Sequence, residues 1–277
     1  MKKWFSRRGT KNSSPGADAG RGEDYPDRFL LDYSRLRQIA RDGRESYLGA
    51  EPFPHIIIED LISSETLDQV LRRFPNAEDQ LNWRRILAKN PAGETAQFNK
   101  QGLPNVSEMA PVIRQLVWEL NSGSFIRSLE MLTGIKNLLP DPALRGGGIH
   151  QILPGGILGV HADFTRHVDY DMDRRINVLL YLNRDWKDEY EGHLELWDQS
   201  VSRCVKRIRP TGGRCVIFNT DDDSFHGHPK PLACPEGMTR KSIALYYYTI
   251  GRSGKTVAPT GATDWQVLPE ITLPELQ

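Results

Sequence analysis

The chain has 277 residues, enough for one large domain or two modest ones with a sizeable core. Its 36 basic and 36 acidic residues cancel, which argues against nucleic acid as a partner, because that needs a positive footprint. No apolar run reaches the roughly 18–20 residues of a membrane span, and three cysteines without a CxxC pair argue against a disulfide scaffold or zinc ribbon and suit a reducing cytoplasm.

Residues 1–24, which begin MKKWFSRRGTKNSSPGADAG, are basic and polar without the apolar middle of a secretory signal, so they read as a disordered head. Residues 25–144 carry mainly helical signals and are expected to form a helical support packed on the second half of the chain. PFPHIIIED is a short apolar run bounded by prolines and acids, suited to an entering strand. In SSETLDQVLRRF, Ser63 or Ser64 can cap a helix whose apolar face is Leu67, Val70, Leu71 and Phe74. Val112, Ile113, Leu116, Val117 and Leu120 repeat that spacing, and Phe125, Ile126, Leu129 and Leu132 give a third helix. All three read as packing helices without chemistry.

From Arg145 the texture changes to glycine-rich turns and short β-favouring runs: INVLLYLN, GHLELWD, SRCVKRIRP, RCVIFNT and RKSIALYYYTI. Short strands at near-regular spacing without long helices between them indicate an antiparallel sandwich or jelly roll over residues 145–252. The fold class is therefore mainly β with helical support, an α+β chain. Residues 253–277 read as a loop-like tail, and no internal repeat is visible.

The stretch VHADFTRHVDY offers His-x-Asp twice, as His161/Asp163 and as His167/Asp169. On a strand this spacing puts imidazole and carboxylate on one face, two-thirds of a ligand set for a divalent metal. The histidines after that stretch are His193, His226 and His228; His226 lies in DDDSFHGHPKP, which follows the strand RCVIFNT, so it comes at or just past the end of a strand. Two imidazoles and one carboxylate on one face of an octahedron leave positions open for a bidentate cosubstrate and dioxygen, as in non-haem Fe(II) oxygenases. Arg240 opens the strand RKSIALYYYTI, with Ser242 on its face. A guanidinium fork beside a hydroxyl is a receptor for a carboxylate, and the phenol of Tyr181 in LLYLN is a further donor.

The order His-x-Asp, YLN-x-x-W, G-x-L-x-L, HG-x-P and Arg-x-Ser resembles the bacterial, prolyl 4-hydroxylase-like branch of the 2-oxoglutarate- and Fe(II)-dependent dioxygenases. The likeness covers about Gly148 to Thr249, and PFPHIIIEDLISSETLDQVLRRFP resembles the same group. It implies a double-stranded β-helix, iron held by His161, Asp163 and His226, and 2-oxoglutarate chelating that iron with its far carboxylate on Arg240, Ser242 and Tyr181. It further implies that O2 converts the cosubstrate to succinate and CO2 while a C–H bond is hydroxylated, with ascorbate a candidate reductant for the iron. The chain departs from the pattern at Glu191-Gly192-His193, where relatives often carry Gly-Gly, and at Leu153, where many have tyrosine. The gap from His226 to Arg240 is also longer than usual. Because Asp163 is present, halogenation, which needs that position vacated, is not expected.

His161 follows the strand-like GGILGV and GVHADF fits the family pattern, whereas His167 lies in the charged TRHVDYDMDRR, which reads as a loop. The first pair is therefore the expected metal pair, and His167 and Asp169 belong to a solvated loop or a substrate-facing lid. Gln151 is a weaker substrate candidate, since an exposed strand residue explains it as well. His228 reads as shaping the HGHP turn, Thr220–Asp223 as a solvated turn, and Tyr246, Tyr247 and Tyr248 as packing. Hydroxylation of a prolyl or other side chain in a peptide is the first substrate reading. A small molecule or free amino acid is the alternative, and a non-catalytic metal-binding barrel the third. A groove beside Asp169–Arg174 would favour peptide, a closed cavity a small molecule. The sequence gives no oligomeric state.

Overall fold

The computed structural model describes residues 28–167, 169–252 and 260–268. The expected disordered head and most of the expected tail lie outside the described residues. The chain opens with α1 (Tyr33–Asp42) and α2 (Arg44–Leu48), then β1 (His55–Ile58) and α3 (Ser64–Arg73). Asp32 caps α1 by accepting from the amides of Ser34 and Arg35, and Ser63 caps α3 by accepting from that of Thr66. Two short strands, β2 (Arg84–Arg85) and β3 (Ala88–Lys89), precede β4 (Thr95–Leu103). α4 (Pro111–Leu120), α5 (Gly123–Thr133) and β5 (Leu139–Pro140) complete this half, and Gly134 ends α5 at φ +77°.

The second half is almost all strand: β6 (Gly148–Ala162), β7 (Arg166–His167), β8 (Met172–Tyr181), β9 (Leu194–Trp197), β10 (Cys204–Ile208), β11 (Cys215–Asn219), β12 (His226–His228), β13 (Arg240–Thr249) and β14 (Asp264–Trp265). The main path through the sheet runs β1-β11-β8-β13-β6-β12-β9-β10, with every pairing antiparallel. β6 makes the sheet curl by changing partners along its length. Its first part pairs with β13, from Gly148↔Ala244 to Ile152↔Arg240; its last part pairs with β12, at Leu158↔His228 and His161↔His226. Pro154 and Gly155, the latter at φ +72°, stand between the two parts.

The expected helical character of residues 25–144 is incomplete. β4 lies in this segment and pairs along β6 from Gln97↔Leu158 to Leu103↔Ile149, so the first half of the chain supplies a wall of the barrel. TAQFNKQGL lacks a clean apolar alternation, and only pairing with β6 makes it a strand. Helices α1, α3, α4 and α5 pack their apolar faces with one side of β8, β11 and β13 in a single core, through Leu67, Val70, Ile113, Leu116, Leu129 and Val178. The Tyr247 hydroxyl donates to the Leu120 carbonyl at 2.8 Å, tying β13 to the end of α4. Among the described residues no helix is long and apolar enough to cross a membrane. The architecture is the curled antiparallel sheet of a jelly roll.

Candidate metal centre and cosubstrate cavity

His161 lies one residue from the end of β6, Asp163 comes just after that strand, and His226 opens β12 directly opposite His161. One ligand atom from each of the three lies within 4.8 Å of the others. The Nε2 atoms of His161 and His226 stand 3.6 and 3.5 Å from the Asp163 carboxylate. Each imidazole is oriented by a backbone carbonyl: His161 Nδ1 bonds to Gly159 at 2.8 Å and His226 Nδ1 to Ser224 at 2.9 Å. With Nδ1 carrying the donated proton, the Nε2 lone pairs converge, as a metal requires. Burial, followed by the neighbouring His161, lowers His226 to about 4, so it is neutral at physiological pH. Burial would raise Asp163, but the Arg174 guanidinium and the two imidazoles outweigh it and hold the carboxyl well below its usual range. The donor set therefore fits a ferrous ion: two imidazoles whose Nε2 atoms converge and one ionised carboxylate.

Arg174 and Asn177 of β8 complete this arrangement, and sequence reading missed both. Asp163 Oδ2 accepts from Arg174 Nη2 at 2.9 Å and from Asn177 Nδ2 at 2.7 Å, while Oδ1 faces His161 and Oδ2 also lies nearest His226. Arg174 is fully buried, its guanidinium carbon 3.4 Å from the ring centre of Tyr246 and 4.4 Å from that of Phe164. Asn177 was within reach of the sequence, since it lies four residues before Tyr181 on an alternating strand. Arg174 was hidden in the charged run DMDRR, where a solvated arginine is the ordinary expectation.

The same cavity runs from the triad to Tyr181, Arg240 and Ser242. Ser242 lies opposite Tyr181, and Arg240 is one step farther along on the same face of β13. Buried Arg240 donates from Nε to the Gly192 carbonyl at 2.7 Å and from Nη2 to the Tyr181 hydroxyl at 3.4 Å. No carboxylate pairs with it among the described residues, so burial lowers its pKa. A guanidinium held this way is a receptor for an anion. Gly192 has φ +72°, and a Cβ there would come within 2.4 Å of Leu232 Cδ2 and 3.0 Å of Arg240 Cδ. The Gly-Gly departure thus keeps the glycine that touches Arg240. Glu191 itself adopts φ +54° and pairs with Arg207 and Lys230.

Residues 147–248 match the family model of the 2OG-Fe(II) oxygenase superfamily. The chain carries a 2OG-Fe(II) oxygenase domain. Such a domain uses Fe(II), 2-oxoglutarate and O2, and it makes this chain a dioxygenase. Among the solved structures that share the fold are two hydroxylases. One is a prolyl hydroxylase from Trichoplax adhaerens in complex with a peptide fragment of hypoxia inducible factor: 17% identity over 78% of this chain and 90% of that one, with TM-score 0.54. The other is a prolyl 4-hydroxylase from Phytophthora capsici: 18% identity over 82% of this chain and 69% of that one, with TM-score 0.55. Comparison with the curated proteins gives no match.

Three of the candidate substrate residues do not reach the oxygenase cavity. His167 is completely buried with its ring between Tyr170 and Tyr248, and its Nε2 lies 3.4 Å from the buried Asp141 carboxylate. It fastens the turn after β7 rather than lining a lid. Asp169 is on the outside in an ion pair with Arg145 at 3.1 Å. Gln151 is buried rather than exposed, and it faces away from the cavity to bond Gln101 and Thr239. In their place the cavity gains Lys100, His150 and His228. The tail also contributes: β14 pairs with the end of β6, and Trp265 packs against His161 with ring centres 4.8 Å apart.

Proposed function

We propose that the domain hydroxylates a C–H bond of a compact substrate, with iron on His161, Asp163 and His226. In this reading 2-oxoglutarate lies between that metal and Arg240, its distal carboxylate also bonded by Tyr181 and Ser242. The observation that carries the proposal is a single cavity with a three-ligand metal set at one end and, at the other, a buried guanidinium that no carboxylate pairs among the described residues. When bound, the metal supplies the activation of dioxygen and the oxidising power. The chain's own groups bind and orient: Arg174 and Asn177 fix the Asp163 carboxylate, and Phe164, Tyr246 and Trp265 shield the mouth from water.

Of the two substrate classes, the small molecule is better supported. The outer pocket that meets the triad is lined by β2, β4 and residues 262–265, and none of residues 169–173 lines it. None of the residues of the expected groove beside Asp169–Arg174 thus lines this pocket. The likeness to prolyl hydroxylases supports the fold and leaves the peptide reading second. A cytoplasmic setting belongs to the same proposal, supported by three buried, unpaired cysteines.

The test is to load the protein with Fe(II), add 2-oxoglutarate and follow succinate across panels of small acids, amino acids and proline-containing peptides, with and without ascorbate. His161→Ala, Asp163→Ala and His226→Ala should each abolish turnover and metal binding together. Arg240→Leu should raise the 2-oxoglutarate requirement at least tenfold while metal affinity is kept. Metal uptake without succinate under every condition would return the chain to the third reading, a binding barrel.

A further inference from the structure

Lys100 is the least expected group in the cavity. β4 places it opposite Ile152 of β6, and Ile152 in turn lies opposite Arg240 of β13. Residues directly opposite each other share a face, so Lys100, Ile152 and Arg240 form one row across three strands and all point inward. At ordinary strand spacing the two cationic residues are roughly 10 Å apart at their α-carbons. Lys100 lines both the inner cavity, with Arg240, and the outer pocket, with Phe164, Tyr246 and Trp265. It therefore stands where the two compartments meet, beside the metal set.

Among the described residues no carboxylate or hydrogen-bond acceptor pairs with the Lys100 ammonium. The charges it feels are Asp163, Arg240 and Arg174. Asp163 is already engaged by Arg174, and the histidines near Lys100 offer no negative charge: burial, with Lys100 and Arg240 adding to it, keeps His150 and His228 well below their usual range. With the cosubstrate bound as proposed above, its metal-bound carboxylate and Asp163 meet the metal's charge, and its distal carboxylate meets that of Arg240. Lys100 is left with one positive charge and no partner, facing the side from which substrate enters.

We propose that Lys100 anchors the substrate by a carboxylate, so that the C–H bond oxidised belongs to a small organic acid whose body packs on Phe164, Tyr246 and Trp265. The other cation lining the outer pocket, Arg84, is exposed; a single inward ammonium matches a monoanion better than a phosphate. This rests on the reading that Arg240 holds the cosubstrate.

The test uses the full chain loaded with Mn(II) and saturating 2-oxoglutarate, with benzoate as an aromatic monoanion and benzamide as its neutral counterpart. Binding is read by calorimetry and by relaxation of the probe's protons near the paramagnetic ion. Benzoate should bind at least tenfold more tightly than benzamide. Lys100→Met should erase that preference while changing 2-oxoglutarate affinity less than threefold, and Lys100→Arg should retain it. Equal binding of the two probes to the unmodified protein would overturn the proposal. So would a preference that survives in Lys100→Met, or a tenfold loss of 2-oxoglutarate affinity in that variant, which would put Lys100 in the cosubstrate site. Phenyl phosphate binding more tightly than benzoate in a Lys100-dependent way would overturn the choice of carboxylate. The supporting reading fails separately, if Arg240→Leu leaves 2-oxoglutarate affinity unchanged.

Discussion

At the scale of single residues, the site is held by charges that cost stability in the empty protein. Lys100 is pushed down to about 8, first by burial and then by Arg240 and Arg174 against the pull of Asp163. Between that value and the ordinary one near 10.5, the unfolded chain holds a proton that the folded chain has released. Stability therefore rises with pH across this window, and the cost of the ammonium is in full force below it. Lys100→Met should accordingly melt at a higher temperature than the unmodified protein at pH 7 when both are metal-free, and the gap should close towards pH 10. Parallel curves in differential scanning calorimetry would remove Lys100 from this role. Arg174 is the opposite case, since it relieves a buried carboxylate. Arg174→Met leaves Asp163 with the Asn177 amide but without its guanidinium partner and should cost about 3 kcal/mol in the metal-free protein, because a buried charge stripped of its ion-pair partner is expensive. Its metal affinity should fall 10- to 100-fold, as when a group that orients a ligand is lost. Denaturant melts and metal titration check the two effects separately.

At the scale of elements, close approaches at glycines place the two ends of the cavity, one between strands and one where a loop meets β13. A Cβ at Gly227, between His226 and His228, would lie 2.6 Å from the Gly159 carbonyl and 2.7 Å from that of Leu158. Gly227→Ala must therefore push β12 off β6 and separate the imidazoles of His226 and His161. We expect at least a tenfold loss of metal affinity, read by titration. Gly192→Ala acts on the other end, where a Cβ crowds Leu232 and Arg240 at a positive φ. It should lower 2-oxoglutarate affinity with little change in metal binding. The reverse pattern, or equal losses in both variants, would mean that the strands do not position the two ends independently.

At the scale of the whole molecule, the oxygenase segment does not stand by itself. The core beneath β8, β11 and β13 is completed by α1, α3, α4 and α5, and β4 covers the length of β6. Buried Tyr47 of α2 also donates to the Asn219 side chain at 2.6 Å, joining the first helices to the end of β11. A fragment beginning at Arg145 would expose that apolar face and an unpaired edge of β6, both aggregation hazards. It should be insoluble or lack a cooperative melt, whereas the chain from Arg28 onward should fold; circular dichroism and light scattering distinguish these outcomes.

The sequence alone determined what short-range chemistry determines. Alternation on the strands gave the jelly-roll half, helix spacing and capping serines gave the packing helices, and the His-x-Asp spacing with a later histidine and arginine pointed to the triad and to the buried Arg240 in the same cavity. It also separated the two His-x-Asp pairs, because their flanking residues differ in β character. Tertiary structure decided what depends on register between distant strands. It put Lys100 in line with Arg240, sent Gln151 to the far face, paired His167 with Asp141 instead of substrate, and brought Trp265 onto His161. A one-residue shift in strand pairing reverses every side chain's face, and no local property of TAQFNKQGL fixes which residues of β6 it meets.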